Sequence, residues 1–452
     1  MSRNALAEAV SFYDGLLRGE VLERTHEQLH RSIEERTLIY DGRPLYRVLR
    51  PRFITPEQHA DLQRASVAVA RALETLYRRA CVDEPFRREL GIQEWEELLM
   101  PVDAAIARPN VIGRLDGLVG PDGVIRFIEY NVDPGGHVYM HNLGEVFAAT
   151  PVLQAFARRY EISLPRTAPC LPETLKAQHA RGGRSDVPQL AFFGPPSEDD
   201  SDEEELHRNF IRDAGLPIRI VTSEDAWSYR DGRLYVEDFR VDVVTFISAA
   251  GFAGLIVGCD REHPVMRALA DGAAHFLNGL FRACFLRSKV LFATLSELAH
   301  TGQFEPDIRE ALVRHIPWTR VVREGKTAYG GREVDLVPFI AEHREQLVLK
   351  PATEFGGTGV TLGWQTDDAT WSATLKAALE ERWIVQERAP LSLERYPVHD
   401  AGQVRYEELY SDLNPFVWNG DRQEGFFTRL SRGAIVNVAQ GGCMTPLVVV
   451  RP

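Results

Sequence analysis

The spacing of apolar and polar residues predicts a helix-rich beginning to this chain, followed by segments that alternate between strand and helix. Thr55-Pro56 offers an N-cap residue and then a proline at the first helical position. Leucine and valine residues recur at helical spacing from there to Arg79. The first hundred residues therefore predict helices that serve packing, and we assign no chemistry to them.

Two runs after residue 110 follow strand periodicity instead. VIGRLDGL and VIRFIEYN flank the turn sequence Gly120-Pro121-Asp122-Gly123, which predicts a β-hairpin. Residues 186–260 predict an α/β unit, with the strand QLAFFG, the helix EEELHRNFIRDAG and the strand IRIVT. The segment ARGGRSD before this unit predicts a flexible linker. From about residue 280 the pattern predicts a helix through Lys289, the strands LVLKP and WIVQE, and a glycine-broken, strand-like tail.

Composition narrows the classes of function. The chain has 452 residues, 44% of them hydrophobic, and 65 Asp and Glu against 52 Lys and Arg give a net charge of −13, which disfavours broad nucleic-acid binding. Five cysteines without a CxxC pair argue against a disulfide framework and a cysteine zinc site. No secretory signal is visible, and the uncharged stretch Val243–Cys259 contains glycines and is too short to span a membrane. We therefore expect a cytoplasmic protein without a membrane or nucleic-acid partner.

Polar residues on the predicted hairpin form the first candidate site. Strand alternation places Arg114 and Asp116 on one face, and Glu129 and Asn131 together on one face of the next strand. A turn centred in the middle of the four-residue turn sequence would put Arg114 opposite Glu129, with Asp116 diagonal to it. Carboxylate and carboxamide oxygens suit Mg²⁺ that is shared with substrate phosphates. An exposed sheet face with an Arg–Glu pair is the alternative that these residues leave open.

The second candidate site is a lysine at a strand end followed by a glycine-rich segment. Lys350 precedes Gly356, Gly357 and Gly359. An ammonium group and bare backbone N–H groups can surround phosphates. The segment matches neither the P-loop nor the dinucleotide GxGxxG pattern. A tight turn that needs no ligand is the open alternative.

Together the two segments resemble the ATP-grasp superfamily. LVLKP and EFGGTGV are similar to its strand lysine and phosphate loop, and WIVQE is similar to its adenine hinge, with Gln386 and Glu387 facing base and ribose. Lys289 resembles its other nucleotide lysine. The resemblance implies three magnesium ligands: Asp116, Glu129 and Asn131. Because these precede the lysines, the order resembles the circularly permuted ATP-grasp group related to glutathionylspermidine synthase.

The resemblance implies an α/β (α+β), multidomain fold: a circularly permuted ATP-grasp domain, a Rossmann-like preceding substrate domain and a helical N-terminal region. The expected regions are a helical N-terminal region at 1–110, a metal-binding part of the ATP-grasp at 111–160, an α/β substrate domain at 186–275, and a nucleotide-binding part with C-terminal strands at 276–452.

It further implies an ATP- and Mg²⁺-dependent carboxylate–amine ligase. The carboxylate would attack the γ-phosphate of ATP, and an amine would then displace phosphate from the acyl phosphate. Arg114 and Arg429 would hold the transferred group as catalytic residues, and Lys289 and Lys350 would neutralise phosphates. The expected partners are a small-molecule carboxylate and an amine, such as an amino acid, a peptide or a polyamine. A phosphotransferase and a nucleotide-binding module without turnover are the alternatives, and the oligomeric state stays open.

Three further features receive a structural interpretation or none. The seven acidic residues between Glu198 and Glu205 predict a solvated loop that leads into a helix N-terminus. His137 and His141 either line a substrate pocket or begin a helix after a turn, and the lack of a third ligand pattern argues against zinc. Cys443 is interpreted as a small packed residue rather than a nucleophile.

Overall fold

The computed structural model of the protein describes residues 3–103, 111–132, 135–181, 183–193, 202–222, 225–245, 262–354 and 357–451. Its described α-helices are α1 Arg3–Leu16, α2 Gly19–Glu35, α3 Pro56–Val82, α4 Glu84–Leu90, α5 Glu94–Glu97, α6 Met100–Asp103, α7 His137–Ala148, α8 Pro151–Phe156, α9 Cys170–Arg181, α10 Asp202–Asp213, α11 Pro264–Ala270, α12 Leu280–Leu286, α13 Val290–Leu298, α14 Pro306–His315, α15 Leu336–Glu342 and α16 Asp368–Glu380. Two 3₁₀-helices cover Arg344–Gln346 and Gly363–Gln365.

The described strands fall into small sheets. In chain order they are β1 Ile39–Tyr40, β2 Arg43–Pro44, β3 Arg52–Ile54, β4 Ile112–Val119, β5 Ile125–Val132, β6 Glu161–Ser163, β7 Leu190–Phe193, β8 Ile218–Val221, β9 Trp227–Arg230, β10 Arg233–Val236, β11 Phe239–Val241, β12 Val243–Thr245, β13 His275–Phe276, β14 Thr319–Val321, β15 Lys326–Tyr329, β16 Arg332–Asp335, β17 Leu347–Pro351, β18 Thr361–Leu362, β19 Trp383–Glu387, β20 Leu393–Asp400, β21 Gln403–Ser411, β22 Asn414–Trp418, β23 Arg422–Phe427, β24 Arg429–Ser431, β25 Cys443–Met444 and β26 Leu447–Arg451.

Three antiparallel sheets carry the candidate site residues. The hairpin sheet has the order β23-β22-β4-β5, and the lysine sheet has the order β14-β19-β17-β18. A third sheet, β20-β21-β24-β25, carries Arg429 on β24. The predicted strands LVLKP and WIVQE are confirmed as β17 and β19, which are direct neighbours in the lysine sheet.

The predicted hairpin forms, but its register differs from the expectation. Arg114 pairs with Asn131 and Asp116 pairs with Glu129, so the expected pairing of Arg114 with Glu129 is wrong. The turn contributes one residue of this shift, since Val119 pairs with Ile125 and the hairpin centres on Asp122. A β-bulge at Asp116–Gly117, where β5 supplies an extra residue, contributes the other. The bulge places the two predicted metal-binding carboxylates directly across from each other.

The α/β unit is confirmed in its described part. Strand β7, helix α10 and strand β8 lie where the pattern predicts them. The sheet order is β13-β12-β7-β8, and every pair in it is parallel. Residues 202–205 of the acidic run begin α10, whereas residues 198–201 and the stretch 246–259 lie outside the described residues.

The N-terminal region packs into the rest of the chain. Helix α3 begins with the predicted cap: Thr55 Oγ1 accepts from Gln58 N at 3.2 Å, and Thr55 N donates to Gln58 Oε1 at 2.9 Å. Strands interrupt the predicted helical region, and one of them, β3, pairs in parallel with the C-terminal β26. The core joins α3 to the hairpin and to helices α12 and α13, with buried residues such as Leu73, Phe127, Phe281 and Leu291. Among the described helices, none has the length and apolar character that crossing a membrane requires.

Candidate functional site

One cleft collects most of the predicted site residues. It holds about 1000 Å³ of empty space, counted out to its open mouth. The predicted residues that line it are Asp116, Glu129, Lys289, Lys350, Gly357, Gln386, Glu387 and Arg429. Arg114 and Asn131 contact Asp116 without being part of the lining, and Gly359 packs against Pro351. Gly356 lies outside the described residues.

Lys350 is a buried cation on the floor of this cleft. Its Nζ donates to Gln386 Oε1 at 2.7 Å, and its residue exposure is 5%. Burial lowers the pKa of Lys350 to about 8, although the nearby carboxylates of Glu129 and Asp116 oppose that shift. Among the described residues, the acceptor of the Lys350 ammonium is this neutral carboxamide and not a carboxylate. A buried ammonium in this state favours an anionic ligand.

The two residues predicted at the adenine hinge use their side chains differently. Gln386 accepts from Lys350 and donates from Nε2 to Thr319 Oγ1 at 3.0 Å, so its carboxamide holds the lysine in place. Glu387 accepts from the Tyr329 hydroxyl at 3.1 Å at the edge of the cleft. Both residues line the cleft, but Gln386 is 1% exposed and its polar atoms are already engaged.

Lys289 connects the lysine sheet with the hairpin. Its Nζ donates to Glu354 O at 2.6 Å and lies 3.5 Å from Glu129 Oε2. The predicted helix through Lys289 is wrong, because α12 ends at Leu286 and Lys289 occupies the N-cap position of α13. The backbone N–H of Lys289 instead donates to Ala352 O at 2.8 Å, just after β17.

Asp116 lies in a network of charge-assisted hydrogen bonds. Its Oδ1 accepts from Arg114 Nε at 2.8 Å and from Asn131 Nδ2 at 2.9 Å, and its Oδ2 accepts from Arg429 Nη2 at 2.7 Å. Burial alone would raise the pKa of Asp116, but the two guanidinium groups outweigh burial and hold the pKa below its ordinary value. Asp116 is therefore a fixed negative charge at the edge of the cleft.

Asp412 and Asn414 also line the cleft, although no sequence motif indicated them. Asp412 is buried and accepts from Arg429 Nε at 2.6 Å and from Arg429 N at 2.7 Å. Burial raises the pKa of Asp412, and Arg429 opposes that rise. Asn414 Oδ1 accepts from Gly117 N at 2.9 Å, which satisfies the N–H at the bulge. The available signal was Asp412-Leu413-Asn414, two polar residues in alternation at the start of an apolar strand.

Arg114 is placed behind Asp116 rather than in the cleft wall. Its guanidinium lies 4.6 Å from the centre of the Phe427 ring, and Nη1 donates to Gly135 O at 3.3 Å. These contacts, together with the bond to Asp116, fix the position of the carboxylate. A direct role of Arg114 in catalysis stays a prediction.

The glycine-rich turn shows why glycine is needed there. Gly357 and Gly359 have φ angles of +82° and +72°, in the left-handed region. A Cβ atom on Gly359 would lie 2.6 Å from Pro351 Cγ, whereas one on Gly357 would meet nothing closer than 3.7 Å. Gly359 is thus required by packing, and Gly357 leaves its backbone accessible to the cleft.

The predicted magnesium ligands fit a hard cation by their chemistry. Asp116 and Glu129 are cross-strand partners that both line the cleft. Asn131 donates from its amide nitrogen to Asp116, so its amide oxygen is the atom that a cation would use. Among the described residues, no three or more His, Cys, Asp or Glu side chains are grouped so that they could hold a metal ion. The predicted set differs from such a group because its third member, Asn131, is a carboxamide.

The remaining candidates, His137, His141 and Cys443, lie among packing or ion-pair contacts outside the cleft lining. The buried His137 ring lies edge-on to His207 at 5.0 Å, and His141 pairs with Glu145 at 3.5 Å. Burial raises the pKa of Cys443 to about 12, as expected for a packed residue rather than a nucleophile.

Comparison with solved structures identifies a similar fold. A glutathione synthetase-like effector from Globodera pallida, in its apo form, aligns with a TM-score of 0.61 and 14% identity over 95% of this chain and 96% of that chain. D-alanyl-alanine synthetase A from Vibrio cholerae O1 biovar eltor aligns over 59% of this chain and 89% of that chain at 10% identity, and its TM-score of 0.27 adds no support. No protein-family model and no curated protein sequence matches the chain. The chain therefore has a mixed helix and sheet fold similar, along nearly its whole length, to that of a glutathione synthetase-like protein.

Proposed function

We propose that this chain is an ATP- and Mg²⁺-dependent carbon–nitrogen ligase that joins a small-molecule carboxylate to an amine through an acyl phosphate. The observation that supports this function best is the composition of one cleft. Lys289, Lys350 and Arg429 meet the carboxylates of Asp116 and Glu129 there, beside a glycine-rich turn. This is the set of charges that binding and transfer of a phosphoryl group require.

Each residue then has a distinct task. Lys289 and Lys350 neutralise nucleotide phosphates, and Gln386 holds Lys350 in position. Glu129, Asp116 and Asn131 would hold the magnesium ion. When bound, magnesium supplies positive charge between phosphate oxygens and so reduces their repulsion of an incoming carboxylate.

Arg429 is the side chain best placed to hold the transferred group. It lines the cleft, and two buried carboxylates fix its guanidinium by bonds of 2.7 and 2.6 Å. A planar fork of N–H donors can contact two oxygens of a phosphoryl or acyl-phosphate group. The substrate carboxylate is itself the nucleophile, so the proposed reaction requires no nucleophilic side chain.

The proposal extends to the arrangement of the chain. The carboxylate hairpin comes before both nucleotide lysines, as in the circularly permuted ATP-grasp group related to glutathionylspermidine synthase. The parallel sheet containing β7 and β8 would be its Rossmann-like substrate domain, and the cytoplasm, where ATP and Mg²⁺ are available, would be its location.

Product analysis tests the function. The purified chain is incubated with Mg·ATP and a panel of amino acids, small peptides, dicarboxylates and polyamines, and the release of ADP and of phosphate is measured. A ligase releases phosphate only when a carboxylate and an amine are both present, and mass spectrometry then identifies the amide. A stable phosphorylated product would show a phosphotransferase instead, and nucleotide binding without release of ADP would show a binding module. Glu129→Ala serves as the inactive control.

A further inference from the structure

A second cleft adjoins the candidate nucleotide cleft. It contains about 840 Å³ of empty space, counted out to its mouth, and shares Ala434 and Ile435 with the first cleft. The junction lies at the glycine-rich turn: a Cβ on Gly357 would be 3.7 Å from Ile435 Cγ2 and 3.8 Å from Gln440 Nε2, and Gln440 lines the second cleft. A molecule in the second cleft can therefore reach the place where phosphates are expected.

The second cleft is positively charged, although the chain as a whole has a net charge of −13. Its described lining includes Arg47 and Arg432 and no acidic side chain. Behind the lining, buried Glu407 accepts from Arg47 Nη2 at 2.6 Å, from Arg405 Nη2 at 2.8 Å and from Arg432 Nη2 at 3.0 Å. Arg405 also pairs with the exposed Asp400 at 3.2 Å, so the excess positive charge belongs to the two arginines that line the cleft.

These two arginines are held in place and still accessible. The Arg47 and Arg432 side chains are 42% and 64% exposed, although Glu407 fixes one edge of each guanidinium. A guanidinium has five N–H donors in a planar fork, so donors remain beyond those that the buried carboxylate uses. Such donors match the oxygens of a carboxylate or a phosphate.

The distance between this charge and the proposed reaction centre follows from the backbone. Arg432 comes three residues after Arg429, directly after strand β24, Arg429–Ser431. At roughly 3.3 Å per extended residue, their Cα atoms are at most about 10 Å apart. One ligand can therefore present an anionic group to Arg47 and Arg432 while its other end lies near Arg429.

We infer that the second cleft binds the carboxylate substrate, and that this substrate carries a second anionic group at the end remote from the carboxylate that becomes activated. The second group is a carboxylate or a phosphate. The inference rests on the proposed ligase function and specifies its substrate class. A polyamine is excluded from this cleft because the arginines would repel it.

Calorimetry without nucleotide tests the inference. The ligands are suberate, an eight-carbon dicarboxylate, octanoate, which has the same length and one carboxylate, and 8-phosphonooctanoate. We expect the wild type to bind suberate or the phosphonate at least about tenfold more tightly than octanoate, because the second anionic group adds charge-assisted hydrogen bonds to the arginines. The ligand that binds more tightly of the two identifies the second anionic group.

Variants then locate the preference. Arg432→Ala and Arg47→Ala should each reduce this preference about tenfold, and Arg432→Lys should retain part of it. Arg31→Ala removes an exposed arginine of α2 and is the matched control, which should keep the full preference. Thermal melting checks that each variant is folded.

Two results would overturn the inference. One is equal affinity of the wild type for the three ligands. The other is a preference for the doubly anionic ligands that is as large in Arg47→Ala and Arg432→Ala as in Arg31→Ala. Failure of the ligase function gives a different result. In that case Mg·ATP and the panel of substrates produce no ADP, whereas the ligand preference is measured without nucleotide and is read independently.

Discussion

Replacing Arg429 by lysine perturbs the proposed phosphoryl-transfer step directly. In the structure, Arg429 Nη2 lies 2.7 Å from Asp116 Oδ2 and Nε lies 2.6 Å from Asp412 Oδ2, so one guanidinium joins two buried carboxylates. A lysine ammonium is a single point of charge and cannot reproduce both bonds in the same geometry. The variant therefore keeps the charge and loses the fork.

The magnitude follows from these contacts. Loss of one charge-assisted hydrogen bond of this pair should reduce the free energy of unfolding by about 2 kcal/mol. Loss of a preorganised donor to the transferring group should lower the rate by about 10²–10³-fold, or roughly 3–4 kcal/mol. The rate effect should exceed the stability effect, because the proposed function gives the Arg429 fork a role in the reaction as well as in the fold.

Single-turnover formation of ADP across a magnesium titration is the appropriate assay. The Arg429→Lys deficit should persist at saturating Mg·ATP. Arg114→Lys is the matched comparison: the sequence predicts a catalytic role for Arg114, whereas its contact with Asp116 favours a role in orienting a metal ligand. Restoration of the Arg114→Lys rate by magnesium would support the orienting role, and a persistent deficit would support catalysis.

The reasoning about Arg429 would be refuted by a wild-type single-turnover rate in Arg429→Lys. Full rescue of that variant by added magnesium would refute it equally, because the arginine would then act only on metal binding.

Three further predictions concern the cleft. Glu129→Ala or Asn131→Ala should abolish Mg·ATP turnover and leave the chain folded, because Glu129 lines the cleft and Asn131 bonds Asp116 beside it; near wild-type ADP release would contradict the metal assignment. Burial lowers the pKa of Lys350 to about 8, so binding of Mg·ADP near pH 8.5 should be accompanied by proton uptake, and affinity should fall above about pH 8. Calorimetry in buffers of different ionisation enthalpy measures the uptake, and equal uptake by Lys350→Met would refute the prediction. Gly359→Ala should destabilise the fold by about 1–3 kcal/mol in urea unfolding, more than Gly357→Ala, because only Gly359 adds a clash to its positive φ; equal losses would contradict that.

Local patterns predicted the elements well where the determinants are local. The N-cap of α3, the β4–β5 hairpin, and strands β17 and β19 depend on residues within a few positions of one another. The predicted hairpin register was wrong by two residues: one comes from the position of the turn, and the other from a bulge whose N–H bonds to Asn414, 297 residues away. After α12 ends, the N–H of Lys289 bonds to a distant acceptor, Ala352 O, which no local pattern could indicate.

The site shows the same division. Lys350 and the glycine turn are adjacent in sequence, so their pattern predicted a shared location, and both line the cleft. Asp412 could not be assigned in this way, because its role arises from Arg429, 17 residues later, and Arg429 in turn contacts Asp116, 313 residues earlier. Only the folded chain brings these three charges together.

Titration of Mg·ATP into the wild type and Lys350→Met tests the central claim, that the cleft between the hairpin and lysine sheets binds the nucleotide. Lys376→Met removes an exposed lysine of α16 and serves as the control. The account predicts that the wild type and the control bind Mg·ATP with equal affinity and that Lys350→Met binds at least about tenfold more weakly, because a buried cation that faces phosphate is lost. No binding by the wild type, or equal binding by Lys350→Met, would contradict it.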